Sequence, residues 1–83
     1  MIFTADHKHM LKAISEHNHD IVGKSTLIRE GRAYGLDEHS VSELLSDLYR
    51  NGYLSRTTLP RRDGHAYGIT PYGSDELRRS KTI

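Results

Sequence analysis

The clearest pattern of apolar positions in the chain lies between residues 38 and 51. Asp37 precedes this stretch as a strong N-cap residue, and Asn51-Gly52 follows it as a stop. Its apolar residues are spaced at i, i+3, i+4 and i+7, which places them on one face of a helix. They are Val41, Leu44, Leu45 and Leu48. The spacing therefore predicts an amphipathic helix over 38–51 with a polar outer face.

Two weaker helical patterns come earlier in the chain. Thr4 is a suitable N-cap for a first helix, whose apolar stripe consists of Met10, Leu11 and Ile14. Ser25 is expected to cap a second helix, whose inward residues are expected to be Leu27, Ile28 and Tyr34. Gly31 lies inside that helix at a cost of about 1 kcal/mol relative to alanine, so close approach by another helix is expected there. Gly35 supplies the left-handed residue that ends it.

The second half of the chain has the pattern of a hairpin followed by a helix. Residues 53–59 and 66–70 are rich in β-formers, and the PRRDG sequence between them favours a tight turn. Ile21 and Val22 suit a very short strand that pairs with this hairpin. Thr70-Pro71 is an N-cap residue followed by proline, which favours the start of a last helix.

Length and composition narrow the interpretation. The 83 residues predict one small domain over 1–83 with a marginal core, and no cysteine is present to reinforce it. Pairing with a second copy would add buried area, so a homodimer is expected. No stretch is long and apolar enough to span a membrane, and the N-terminal residues do not resemble a signal peptide. A cytoplasmic protein without a membrane partner is therefore expected.

Charge is distributed unevenly along the chain. Residues 1–49 hold five Lys/Arg and eight Asp/Glu, a net charge of −3, whereas residues 50–83 hold seven and three, a net charge of +4. The positive part contains the predicted hairpin. This is the polarity expected of a surface that faces phosphate.

Three segments, taken in order, resemble those of a known family. LDEHSVSELLSDLYRNGYLSR resembles a recognition helix that runs into a strand, RRDGH resembles a wing tip, and YGITPYGSDEL resembles the exit from a wing. The chain is thus similar, over nearly its whole length, to winged helix-turn-helix regulators of the PadR and MarR type. The resemblance implies an α+β, mainly α fold with a three-helix core, a β-hairpin wing and a short C-terminal helix.

The same resemblance implies a function. It suggests a sequence-specific regulator that binds double-stranded DNA as a homodimer. Apart from the resemblance, no cofactor is expected, and the chain is not expected to be an enzyme. Helix 38–51 would lie in the major groove, and hairpin 53–70 would act as the wing. Dimerisation is expected through the first or the last helix.

The outer face of helix 38–51 supplies candidate base contacts. Serine hydroxyls can bond several base edges, a glutamate can accept from cytosine N4, and an arginine suits phosphate or guanine. The alternative is an ordinary solvated face, and the three acidic residues on this helix, against one arginine, oppose the approach of phosphate. The candidates are His39, Ser40, Ser42, Glu43, Ser46 and Arg50.

The hairpin and the second helix supply candidate phosphate contacts. A cluster of hairpin arginines suits phosphates or a minor groove, although charge also protects the edge strands of soluble proteins. These arginines are Arg56, Arg61 and Arg62. His65 stands where MarR proteins carry a wing arginine. Lys24 and Ser25 begin the second helix and suit a phosphate held by backbone N–H groups, although a plain N-cap explains Ser25 almost as well.

Other interpretations are weaker. The pair His7 and His9 and the pair His17 and His19 suggest a metal site, but residues two apart point to different faces of a helix, so no metal is expected. No nucleophile, base and orienting group can be assembled into an active site. A winged helix can also act as a protein-interaction module without sequence-specific DNA binding. The acidity of helix 38–51 favours that alternative.

Overall fold

A computed structural model of the protein describes residues 3–17, 21–58 and 64–81. This part of the chain forms, in order, α1 (Ala5–Ser15), β1 (Val22–Gly23), α2 (Lys24–Arg32), α3 (Glu38–Arg50), β2 (Leu54–Thr58), β3 (His65–Ile69) and α4 (Pro71–Lys81). Helices α1, α2 and α3 pack on one another, and β2 and β3 form a hairpin beside α3. The predicted fold class is confirmed: the chain is α+β, mainly helical, with a winged helix-turn-helix architecture.

The core forms where the apolar stripes of α1 and α3 meet the sheet. The predicted stripes are confirmed, because Met10, Leu11 and Ile14 of α1 are buried together with Val41, Leu44, Leu45 and Leu48 of α3. The other buried members of this cluster are Val22, Leu27, Leu54, Tyr67 and Leu77. Helix α3 therefore turns its whole apolar face inward, which leaves its polar face to solvent.

Helices α2 and α3 come close together at Gly31. A Cβ atom built on Gly31 would lie 2.5 Å from Cγ2 of Val41, so the absence of a side chain allows this packing, as predicted. Gly35, with φ of 77°, ends the helical turns that follow α2. Its N–H donates to the carbonyl of Arg32 at 3.1 Å, and the N–H of Leu36 donates to that of Gly31 at 3.0 Å. This pair of bonds is the Schellman ending.

The three strands form one antiparallel sheet with β3 in the middle, in the order β1-β3-β2. The predicted short strand is confirmed at Val22, which pairs with Tyr67. Ile21 precedes the strand and is 53% exposed, so its predicted place in the strand is wrong. Along β2 only Leu54 is buried, and the remaining residues of that strand are exposed.

Two predictions for α2 are wrong. Strand β1 leads directly into the helix, so Gly23 occupies the N-cap position without a side-chain hydrogen bond and Ser25 is the second helical residue. Tyr34 lies beyond the helix and is 43% exposed, and its ring stacks on that of His9 with centroids 4.4 Å apart. In both places the connection between elements overrides the local preference of the residue.

Helix α4 begins at a junction with the end of α3. Thr70 acts as the predicted N-cap, because its Oγ1 accepts a hydrogen bond from the N–H of Gly73 at 3.0 Å. The same hydroxyl donates to the carbonyl of Gly52 at 2.7 Å. The start of α4 is therefore tied to the turn that follows α3. No helix in residues 3–17, 21–58 and 64–81 has the length and apolar character needed to cross a membrane.

Candidate nucleic-acid interface

An open groove lies between the polar face of α3 and the neighbouring strand β2. Its volume is about 630 Å³, and it is lined by His39, Ser42, Glu43, Ser46, Asp47, Tyr49, Arg50 and Arg56. The position of the groove follows from the phase of the helix. Because the apolar stripe of α3 faces the core, the residues between those positions face outward.

The groove brings together half of the contact residues predicted from the sequence. Those that line it are His39, Ser42, Glu43, Ser46, Arg50 and Arg56. Four other predicted contact residues are described but do not line it, namely Lys24, Ser25, Ser40 and His65. Of these, Lys24 and Ser25 begin α2, and His65 lies across from Thr58 in the hairpin. Arg61 and Arg62 lie outside the described residues.

Tyr49 is a groove residue that the sequence analysis did not select. The guanidinium carbon of Arg56 lies 4.2 Å from the centre of its ring, which is a cation–π contact. Helical spacing carried a signal for Tyr49, since it follows Ser46 by three residues and Ser42 by seven. No signal in the sequence identified Arg56 as its partner, because that residue lies on another element.

Asp47 connects the groove to α1. One carboxylate oxygen lies 2.8 Å from the guanidinium of Arg50, and the other lies 3.2 Å from Nε2 of the buried His7. The N–H of Thr4 donates to Nδ1 of His7 at 3.1 Å, so in the neutral ring Nε2 carries the hydrogen and donates it to Asp47. This hydrogen bond from His7, followed by that from Arg50, lowers the pKa of Asp47 from its ordinary value.

The three acidic residues of α3 differ in their partners. Asp47 is paired with Arg50, and Oε1 of Glu43 lies 3.1 Å from Nε2 of His39 at the exposed surface. Glu38 occupies the first turn, where the helix dipole favours an acidic residue. The charge of Asp47 is thus balanced by Arg50, whereas Glu38 and Glu43 keep theirs at the exposed surface.

Asp37 fixes the start of α3, as predicted. Its Oδ1 accepts a hydrogen bond from the N–H of Ser40 at 2.7 Å. This bond lowers the pKa of Asp37 from its ordinary value, and a charged cap also suits the positive end of the helix dipole. The polar face of α3 is thus held by a capped and well-packed helix.

The first two histidines point in different directions, as their spacing predicted. His7 is buried and contacts Asp47, whereas His9 stacks on Tyr34. Among the residues that the structure describes, no three His, Asp or Glu side chains are grouped so that they could hold a metal ion. The geometry therefore gives no support to a metal centre in this part of the chain, and His19 lies outside it.

Comparison with known proteins links the fold to regulators. No protein-family model and no curated protein matches the chain. RosR of H. salinarum superposes with a TM-score of 0.79 at 22% identity, over 93% of this chain and 69% of RosR. The PcaV transcriptional regulator from Streptomyces coelicolor superposes with a TM-score of 0.76 at 25% sequence identity, over 92% of this chain and 53% of PcaV.

A third solved structure, of a MarR-family transcription regulator, superposes with a TM-score of 0.73 at 24% identity, over 90% of this chain and 47% of that one. The chain thus spans about half the length of PcaV and of this regulator. The predicted likeness to MarR-type winged helices is confirmed at the level of the fold.

Proposed function

We propose that this chain is a sequence-specific transcription regulator that binds double-stranded DNA through α3 and the β2–β3 hairpin. The observation that carries the proposal is the groove beside α3. It presents short hydroxyl groups, a histidine, two carboxylates and two arginines on one open surface. These are the side-chain types that contact base edges and phosphates in DNA complexes.

The dimensions of α3 suit a major groove. Its 13 residues span about 20 Å, and a major groove about 12 Å wide admits one helix. Ser42 and Ser46 lie one turn apart near the middle of the helix and would face base edges, with Glu43 beside them. Arg50, in the last turn, would contact guanine or a phosphate.

Residues around α3 would fix the protein on the DNA backbone. Arg56 would bind a phosphate beside the major groove, and Arg61 and Arg62 would reach a phosphate or the minor groove from the wing. Additional contacts would come from the first turns of α2 and α3 and from the hairpin, through Lys24, Ser25, His39, Ser40 and His65.

The proposal includes a homodimer. Two copies related by a two-fold axis would read a pseudo-palindrome with half-sites about one helical turn apart. The solved structures that share the fold support the regulatory part of the proposal, since two of them are described as transcription regulators.

A protein-interaction module is the second candidate. The observation that favours it is the exposure of Glu38 and Glu43 on the outward face of α3. A basic partner protein would match these carboxylates better than DNA does.

Binding of the whole chain to random duplex DNA and to a selected pool, over a range of salt concentrations, tests the proposal. We expect affinity to fall steeply with salt and one sequence motif to be enriched. Arg79→Ala removes an arginine of α4 outside the groove and serves as a control that should bind like wild type. Absence of binding at low salt would overturn the DNA proposal and leave the interaction module.

A further inference from the structure

The contact between Tyr49 and Arg56 joins the two sides of the groove. Tyr49 lies in the last turn of α3, and Arg56 lies in the middle of β2. The guanidinium carbon is 4.2 Å from the ring centre, although both side chains are at the surface. A long arginine side chain on an exposed strand is thereby given a preferred position.

This contact leaves Arg56 able to bind an anion. A guanidinium that stacks on a ring still presents its N–H donors around its edge, in a fork that matches phosphate. Within residues 3–17, 21–58 and 64–81, no carboxylate forms an ion pair with Arg56, whereas Arg50 is held by Asp47 at 2.8 Å. Of the two groove arginines, Arg50 already donates to a carboxylate. Arg56 donates to none within the described residues, so its N–H groups remain directed to solvent.

We propose that Tyr49 is a positioning residue that holds Arg56 at the edge of the groove for a DNA phosphate. The proposal rests on the proposed function and gives Tyr49 a role in DNA binding. Tyr49 acts through Arg56: by restricting the guanidinium before DNA arrives, it reduces the conformational freedom lost on binding. The ring supplies this effect, and the phenolic hydroxyl is not required.

Four variants separate this role from a direct one: Tyr49→Phe, Tyr49→Leu, Arg56→Ala, and the double variant Tyr49→Leu with Arg56→Ala. Tyr49→Phe keeps the ring and should bind duplex DNA like wild type. Tyr49→Leu should bind more weakly by up to about two- to fivefold, because the preorganisation cannot exceed the strength of a cation–π contact at an exposed site. In the Arg56→Ala background, Tyr49→Leu should cause no further loss, because its effect passes through Arg56.

Two binding results would overturn the proposal. A loss in Tyr49→Phe would mean that the hydroxyl itself contacts DNA. Equal losses from Tyr49→Leu with and without Arg56 would mean that Tyr49 acts independently of that residue. Urea melts of each variant establish that the domain is folded, so neither result can be attributed to unfolding.

A measurement without DNA separates this proposal from the proposed function. The ring current of Tyr49 should shift the NMR signals of the Arg56 side-chain protons in the free protein. The shift should persist in Tyr49→Phe and disappear in Tyr49→Leu, and its absence from wild type would overturn the positioning role. If wild type shows the shift but binds no duplex DNA at low salt, the proposed function fails and the phosphate role fails with it.

Discussion

His7 donates a hydrogen bond to Asp47 across 3.2 Å and so joins the first turn of α1 to the polar face of α3. The same imidazole closes the capping box of α1 with Thr4. Asp47 in turn holds Arg50. The start of α1 and the candidate interface therefore share one hydrogen-bonded network.

Asp47→Asn should make stability less sensitive to acid. Because the pKa of Asp47 is lowered in the folded protein, its contribution is present above the unfolded carboxyl pKa of about 3.9. It is lost as the pH falls below that value through the folded pKa. Urea melts at about pH 7 and about pH 3 should therefore show a smaller acid-induced loss in the variant.

Asp75→Asn is the matched control, because it also removes a carboxylate paired with an arginine three residues further along the chain. Its acid-induced loss should exceed that of Asp47→Asn, because the carboxylate of Asp47 also accepts a hydrogen bond from the buried His7. If Asp47→Asn and wild type lost equal stability in acid, the hydrogen bond between His7 and Asp47 would contribute nothing to the free energy of unfolding.

The buried and exposed faces of α3 should differ sharply in their sensitivity to mutation. Leu48 is fully buried, so Leu48→Ala should lower the free energy of unfolding by about 2–5 kcal/mol. Ser42→Ala, on the groove face, should change it by less than about 0.5 kcal/mol. Denaturant melts of both variants measure the contrast, and the reverse ranking would mean that the helix phase is wrong.

Gly31→Ala should destabilise the protein even though alanine is the better helix former by about 1 kcal/mol. The added methyl would lie 2.5 Å from Cγ2 of Val41, and overpacking of this kind costs about 1–3 kcal/mol. Adding Val41→Ala removes the clash, so the double variant should be more stable than the sum of the two single losses. Strict additivity would show that the two helices adjust without strain.

The wing and α3 should affect DNA binding in different ways. Arg61 and Arg62 belong to the predicted turn, and each can be replaced by alanine. Each substitution should weaken binding to all duplexes similarly and flatten the log–log salt slope by about 1. Ser42→Ala and Glu43→Ala should instead change the preferred sequence, by about 1–3 kcal/mol at the affected base pair. Glu43→Ala should also raise non-specific affinity, because it removes a negative charge near phosphate.

Titrations with the selected duplex and with random duplex, at several salt concentrations, distinguish these two effects. The double variant of Arg61 and Arg62 is the decisive one. If it bound as tightly as wild type at every salt concentration, the hairpin would be a structural edge, and α3 would be expected to face a protein.

The homodimer can be tested without DNA. Sedimentation at micromolar concentration should give twice the mass of the 9.5 kDa chain. A monomer both free and on DNA would remove the argument for a pseudo-palindromic site. It would not contradict the proposed binding of DNA by α3.

The sequence predicted those features that depend on neighbouring residues. The apolar spacing of α3, the cap at Asp37 and the start of α4 at Thr70 are all local, and the structure has them as expected. Ser25 and Tyr34 were assigned incorrectly because their positions depend on where β1 and the loop after α2 lead. Local preference cannot determine that path.

The sequence predicted which residues of the candidate site share one helix face, but not the contacts between helices and strands. Helix spacing placed Ser42, Ser46 and Arg50 on one face, and the groove contains all three. The contacts that cross between elements were not predictable. Arg56 reaches Tyr49 only because of the turn after α3, and the link from His7 to Asp47 depends on how α1 packs on α3.

The central position of β3 has a consequence for the order of folding. Its pairing with β2 is a local hairpin, but its pairing with β1 joins Val22 to Tyr67 and closes a loop that contains α2, α3 and β2. Closing a long loop costs chain entropy that only simultaneous packing can offset. We therefore expect the β1–β3 pair to form late, after the helices have collapsed. Local opening of the N-terminal third would then separate β1 from β3 and leave the β2–β3 hairpin paired.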